Sequence, residues 1–451
     1  MAVKLWQTNA KLDDQIERFT IGQDQELDRL LAPYDALGSL AHCRMLSEVG
    51  LLTAEEGQVL AAGLRDILAE MAAGEFRIEA GVEDVHSQVE YLLTQRLGEV
   101  GKKIHTGRSR NDQVLVDLRL FLREELAQIW HGTADLVETL LGQSEQYRDY
   151  LLPGYTHLQI GMVSSAGLWF GAYAESLIDD LQLWRSVHDI VNQNPLGSAA
   201  GYGSSFPIDR QRTTELLGFS DLNYNSMHAQ LGRGKTELYF AFGLAALGAT
   251  IGKLAMDICL YNGQNYGFFE LPRAFTTGSS IMPHKKNPDV VELIRARCNQ
   301  WQNLPAAVMA LTTNLPGGYH RDFQLLKEVL FPAIQQAGEV LELTQRLVSE
   351  LRVAPDLLAD PRYDVLYSVD AINQLVVAGV PFREAYHRVS DQVEAGSFQR
   401  PAELPYTHLG SIGELGTAGI RRKLDRLRGE VDFEGWRACL AGLGVVQPKP
   451  E

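Results

Sequence analysis

The sequence predicts an all-α protein built around long helices, and three observations carry that expectation. From Val114 onward, Leu115, Leu122, Ile129 and Leu136 recur every seven residues, with Leu118, Leu126 and Leu140 filling the same stripe. Charged residues such as Arg119, Arg123, Glu124 and Asp135 take much of the remaining surface. That period describes an amphipathic helix of about seven turns at roughly 3.6 residues each. Segments 165–192, 233–262 and 288–314 read similarly, and the third of these reads as apolar nearly all round. A helix apolar on every side must be enclosed by other helices, from its own chain or from neighbouring subunits. Finally, alternating β-branched runs are scarce, and 17 prolines leave little room for an extended sheet.

The elements follow in order. The first hundred residues form shorter helical units; Thr53 reads as an N-cap, with Glu56 completing a capping box. His105-Thr-Gly-Arg-Ser-Arg-Asn-Asp-Gln113 opens the long helix, and Gly154-Tyr-Thr-His-Leu-Gln159 leads into the next. A shift at 353–362 marks a second boundary, after which shorter helices run to a proline-ended tail. The expected division is 1–108, 109–358 and 359–451, a long-helix centre with two smaller ends. The apolar stripes are too wide, and too often interrupted by Gly, for a two-stranded coiled coil.

Composition bounds the function. The chain has 451 residues, 45% hydrophobic and 22% charged, and a net charge of −16. An acidic surface lacks the basic footprint that nucleic acid or anionic membranes attract. The four cysteines are far apart and form no C-x-x-C pair, which fits free thiols in a reducing compartment. The N-terminus has no apolar signal core, and the run 238–252 is too short for a membrane span, so a cytoplasmic protein is expected. Two nucleotide-like motifs are decoys. Ala229-Gln-Leu-Gly-Arg-Gly-Lys-Thr236 lacks the first glycine of a phosphate loop, and the stretch from Gly201 lacks the third glycine of a dinucleotide fingerprint.

Three segments carry candidate chemistry. Gly278-Ser-Ser-Ile-Met-Pro-His-Lys-Lys-Asn-Pro-Asp289 joins hydroxyls, cations and an amide between two apolar helices; Lys285 and Asn287 can bind a carboxylate there. Arg108, Ser109, Arg110 and Asn111 offer donors beside the positive end of the long helix. His157 follows the hydroxyl of Thr156, and an imidazole suits proton transfer. On composition alone, each is also what a solvated loop or a capped helix start looks like.

Together these motifs resemble one family. Gly-Ser-Ser-Ile-Met-Pro-x-Lys-x-Asn is similar to the signature of the fumarase/aspartase superfamily. The other two segments, with Glu83-Asp-Val-His86, Phe206-Pro-Ile-Asp-Arg210 and Glu292-Leu-Ile-Arg295, narrow the resemblance to the argininosuccinate lyases and δ-crystallins. It runs from about residue 15 to at least 330, in fixed order. Departures occur at Ile160-Gly-Met-Val163, at Leu231-Gly-Arg-Gly234, which keeps only Arg233, and at Tyr319-His-Arg-Asp-Phe-Gln324.

The resemblance implies a three-domain subunit whose central bundle completes a multi-helix core in a homotetramer, with active sites shared between subunits. It implies reversible release of fumarate from argininosuccinate, the last step of arginine biosynthesis, with no cofactor and no metal. Ser279 would be the base, His157 the proton donor oriented by Glu292, and Lys285 the stabiliser of developing charge. Arg108, Ser109, Asn111, Thr156 and Asn287 would bind the succinyl part. Tyr319, Gln324 and Lys327 would bind the arginine part, and Asp84, His86 and Arg233 are further binding candidates. Intact Ser279, His157 and Lys285 argue against a catalytically silent relative of the δ-crystallin kind.

Overall fold

The computed structural model describes residues 14–79, 81–401 and 406–444, and there the chain is mostly helical. Four long helices form the centre: Arg110–Gln146, Ala166–Val191, Lys235–Asn262 and Leu325–Glu350. The first has 37 residues, longer than its leucine stripe predicts, because Ser109 caps it upstream and polar residues carry it on to Gln146. Leu122, Leu126, Ile129, Leu136 and Leu140 on its apolar face are buried in the central core. Each such side chain removed from water contributes about 1.5–3 kcal/mol.

Glycines interrupt the stripes where helices approach most closely. A Cβ on Gly243 would lie 2.8 Å from the Trp184 indole, and one on Gly248 would lie 2.7 Å from the Cys298 carbonyl. The Lys235–Asn262 helix extends well beyond the run 238–252 and is, by length and composition, long enough to cross a membrane. Over half of its most apolar window is buried inside the molecule, which suits a core helix of a bundle.

Two expectations need correction. The chain is not purely α: Leu151–Thr156 and Gln159–Ser165 form an antiparallel hairpin, and two further two-stranded ladders join 193–194 to 221–222 and 269–270 to 352–353. The segment 288–314 is not one helix either. It divides into Asp289–Trp301 and Leu304–Thr312, because Pro305 has no N–H to continue the ladder and settles in the first turn of a new helix.

The ends pack on this centre. Helices Ala32–Glu48, Ala54–Ala72 and Val85–Leu97 bury Leu46, Leu60, Leu64 and Leu93 in a second core. The Thr53 capping box forms as expected, Glu56 N–H donating to Thr53 Oγ1 at 3.2 Å and Thr53 N–H to Glu56 Oε2 at 3.0 Å. After Val353, Ile372, Ala385 and Val389 make a small core of their own. The last two helices return across the molecule. Thr417–Glu430 adds Leu424 and Leu427 to the central core, and Glu434–Ala441 adds Trp436 and Leu440 to the N-terminal one. There, fully buried Arg123 lies between the rings of Phe219 and Trp436, 4.6 and 4.2 Å from their centroids. It donates to Asn192 Oδ1 and to the carbonyls of Leu217 and Gly218. Arg65 Nη1 reaches the Leu443 carbonyl at 3.3 Å.

Candidate active site

Most of the predicted arginine-side residues meet in one cavity of about 150 Å³. Asp84 and His86 come from the N-terminal layer, Asn111 from the first turn of the long helix, and Arg233 from the approach to the Lys235–Asn262 helix. Tyr319, Gln324 and Lys327 come from the segment leading into Leu325–Glu350. The cavity also contains Arg110, one of the donors expected at the start of the long helix, and Asp24, Asp28, Glu83 and Arg321, which were not singled out as site residues. Asp24 and Asp28 stand one helical turn apart on a five-residue helix, too short to show a periodic signal.

Ion pairs fill this cavity. Buried Lys327 Nζ lies 2.5 Å from Asp24 Oδ1 and also contacts Asp28. Arg233 pairs with Glu237 at 2.9 Å and donates to the Phe323 carbonyl. Arg110 reaches Glu83 and Asp84 at 3.0 and 3.1 Å, and Arg321 meets the other oxygen of Glu83 at 2.9 Å. Gln324 donates its amide to the carbonyls of Thr20 and Ile21. Burial alone would raise the Asp84 carboxyl, but the charges of His86 and Arg110 and hydrogen bonds from Ser87 hold it below the usual carboxylate range.

Behind the cavity, His86 Nδ1 sits 2.9 Å from Asp35 Oδ1 and 3.6 Å from Asp117 Oδ2. Burial opposes its charge, yet the two acids raise its pKa to about 10. Asp35, His86 and Asp117 are close enough together to be considered as metal ligands. Held at these distances, the imidazole and the two carboxylates form a buried ion-pair core. Arg108 and Ser109 do not line the cavity. Arg108 Nη1 donates to Ser39 Oγ at 2.8 Å, and Ser109 caps the long helix, accepting from the Asn111 N–H while Asp112 accepts from its own N–H.

The remaining candidates lie on two other segments. Thr156 and His157 were expected at a helix end, but they stand at the turn of the hairpin, where Thr156 pairs with Gln159. The turn residues His157 and Leu158 have φ of 53° and 59°. Such a turn usually advertises itself with Asn-Gly, and these two residues conceal it. Both side chains are exposed. Ser279, Lys285 and Asn287 lie in the loop 277–289, closed at its base by paired backbone hydrogen bonds between Thr277 and Asn287. Ser279 Oγ accepts from the Met282 N–H at 3.1 Å and the Ile281 N–H at 3.4 Å. Glu292 follows in the first turn of Asp289–Trp301, exposed and 3.9 Å from Arg295. Among the described residues, nothing within one chain joins His157 to Glu292.

Comparison with known proteins bears on the family of the chain. A family model described as lyase matches residues 7–302. The argininosuccinate lyase of Parabacteroides distasonis is 54% identical over 96% of this chain and 97% of its own length. That of Bacteroides thetaiotaomicron is 55% identical over 92% of this chain and 93% of its own. Among solved structures, an EDDS lyase in complex with formate superposes with a TM-score of 0.72 at 25% identity, covering 97% of this chain and 93% of that one. With the signature loop, the hairpin histidine and the charged cavity all present in one chain, this protein belongs to the argininosuccinate lyase family.

Proposed function

We propose that the protein cleaves argininosuccinate to arginine and fumarate, in sites completed between the subunits of a homotetramer. Near-full-length identity with argininosuccinate lyases supports the substrate. The observation that carries the chemistry is the setting of Ser279. A proton leaves the carbon beside a succinyl carboxylate, the C–N bond breaks, and the electron pair moves with the guanidinium nitrogen as the double bond of fumarate forms. A serine is a weak base, and each unit by which its pKa is lowered takes about 1.4 kcal/mol of differential stabilisation. The two backbone N–H groups on Ser279 Oγ are placed to stabilise its alkoxide. Lys285 and Asn287, on the same loop, would take the charge that develops on the carboxylate.

His157 would return a proton to the leaving nitrogen, directly or through water, with Glu292 orienting its ring. Arg108, Ser109, Asn111 and Thr156 would hold the succinyl carboxylates. Tyr319, Gln324 and Lys327 would hold the arginine portion, bordered by Asp84, His86 and Arg233. The cavity is smaller than the roughly 300–1,000 Å³ usual for small-molecule sites, which supports a site finished elsewhere. Exposed apolar side chains on Lys235–Asn262 and on the two shorter helices packed beside it support the tetramer: Phe242 is 43%, Met256 46%, Leu293 62% and Met309 44% accessible. The division 1–108, 109–358 and 359–451 remains our reading of the subunit, and the free thiols of all four cysteines support a cytoplasmic setting.

Fumarate absorbance on adding argininosuccinate to purified protein tests the reading. Steady release is expected. Turnover of adenylosuccinate, malate or aspartate instead would move the activity elsewhere in the superfamily.

A further inference from the structure

We propose that Tyr155 is a positioning residue for the proton donor: it fastens the tip of the hairpin that carries His157 to an aromatic floor shared with the C-terminal part of the chain. This rests on the reading that His157 protonates the leaving nitrogen.

The hairpin tip has little else to hold it. A two-stranded ribbon is marginal by itself and takes its stability from what it packs against. Leu152 and Pro153 are buried on the outgoing strand, and burial resumes on the return strand at Val163. Between them, Thr156, His157, Leu158, Gln159, Ile160 and Met162 are all exposed. Half-buried Tyr155 is therefore the last side chain with a surface to rest on before the turn. His157 and Leu158 hold a left-handed backbone, φ 53° and 59°, without being glycine. Such a conformation persists only where the surroundings over-determine it.

Tyr155 supplies that surrounding contact. The strand register shifts between Pro153 and Tyr155, and a bulge of this kind bends a strand and re-aims the next side chain. The Tyr155 ring stacks on Phe268, 6.3 Å between centroids at 26°, and meets the edge of Tyr266 at 5.8 Å and 72°. Its hydroxyl hydrogen-bonds to that of buried Tyr363. Burial and this partner push the Tyr155 phenol above its usual range, so the contact stays neutral. The floor is itself fixed. The Phe268 N–H donates to the Tyr261 carbonyl, and the Phe268 carbonyl accepts from the Ala354 N–H, both at 2.9 Å. Arg362 lies 4.6 Å from the Tyr363 centroid and pairs with Asp360 at 3.0 Å. Three stretches of chain thus meet at one phenol: the hairpin, the segment after Lys235–Asn262 that leads toward Ser279, and the turn Pro361–Tyr367. A displacement of about 1 Å at a reacting group costs about 100-fold in rate, and His157 stands two residues from this junction.

The test uses the full-length protein and argininosuccinate. Tyr155→Ala is expected to lower kcat about 100-fold while KM changes about threefold or less. Tyr155→Phe keeps the ring and should lose only about fivefold in kcat. Tyr363→Phe should match it, and the double variant should cost no more than either alone. A second readout separates the steps in deuterium oxide. Ser279 removes a proton from the substrate carbon, and a deuteron can return there whenever the C–N bond has not broken. Arginine release needs His157 as well, so Tyr155→Ala should raise the ratio of deuterium incorporated to arginine released about tenfold or more. Should neither protein incorporate deuterium, kcat and KM decide; should Tyr155→Ala fold poorly, the Tyr155→Phe and Tyr363→Phe pair decides. The assignment is overturned by a Tyr155→Ala kcat within about threefold of wild type, by a KM that rises as steeply as kcat falls, or by an unchanged deuterium ratio. Losses in the pair that are absent or that multiply overturn it too. His157→Gln keeps the two levels apart. A full rate there removes the donor reading and this inference with it, whereas an inactive His157→Gln beside an unimpaired Tyr155→Ala removes this inference alone.

Discussion

In the cavity around Lys327, each charged side chain has an oppositely charged partner within reach. The hairpin turn and the signature loop present their reactive groups largely to solvent: His157, Lys285 and Glu292 are exposed, and Ser279 is only half-buried. The first region is organised by contacts inside one chain, so its geometry is fixed before a ligand arrives. The second has well-made backbone, a hairpin and a pinned loop, but its side chains lack their working partners. The contrast teaches which region one chain organises by itself: the charged cavity is complete in its pairings, and the loop and the turn are ordered in backbone alone.

Four expected outcomes test that contrast. The largest concerns Ser279→Ala, expected to lower kcat about 10³-fold or more while changing stability by about 0.5 kcal/mol or less in urea unfolding. A full rate would remove the base assignment and leave the family untouched. Next, two inactive variants, Ser279→Ala and His157→Gln, should regain activity when unfolded together and reassembled, with about one site in four holding both intact residues in a symmetric oligomer. No recovery would place both groups in one subunit.

The third outcome bears on the buried region. His86→Gln should cost about 3–5 kcal/mol at neutral pH by leaving Asp35 and Asp117 without their cation. Because the folded-state pKa of His86 is raised to about 10 from the usual 6.5, its contribution is full below the unfolded value and is lost as pH rises through the folded one. The gap between variant and wild type should therefore narrow between about pH 6.5 and pH 10, and a gap constant over that range would contradict the pairing. The smallest effect is at the turn. Leu158→Gly relieves a left-handed backbone that glycine adopts freely, and should raise stability by about 0.5–1 kcal/mol while lowering kcat through a less constrained His157. Thermal unfolding beside steady-state kinetics reads both.

Much of the architecture was legible because long helices repeat their signal. The stripe through Leu122, Ile129 and Leu136 announced the Arg110–Gln146 helix, and the Thr53 box announced the start of Ala54–Ala72. The hairpin stayed hidden because its strands are short and its turn uses His157 and Leu158 in place of glycine. The break after Trp301 was hidden because the apolar pattern continues across it, with Pro305 the only mark. At the site, motifs marked Ser279, Lys285 and Asn287 on one loop, and Asn111, Gln324 and Lys327 do share a cavity. What no motif could show was who pairs with whom. That Lys327 meets Asp24 and Asp28, some 300 residues earlier in the chain, is a property of packing rather than of local pattern.

The clasp at Arg123 has a consequence for how the molecule is made. The core beneath the first hundred residues is completed by Trp436, Leu440 and Leu443, and the guanidinium on the long helix gains its second aromatic cover from the same final helix. A ribosome therefore emits the N-terminal layer long before the residues that seal it exist outside the exit tunnel. Through most of synthesis, Leu46, Leu60 and Leu64 must wait with part of their covering surface missing. That makes the nascent chain a natural client for a holding chaperone, and a substitution at Trp436 would be felt in the layer formed by the first hundred residues.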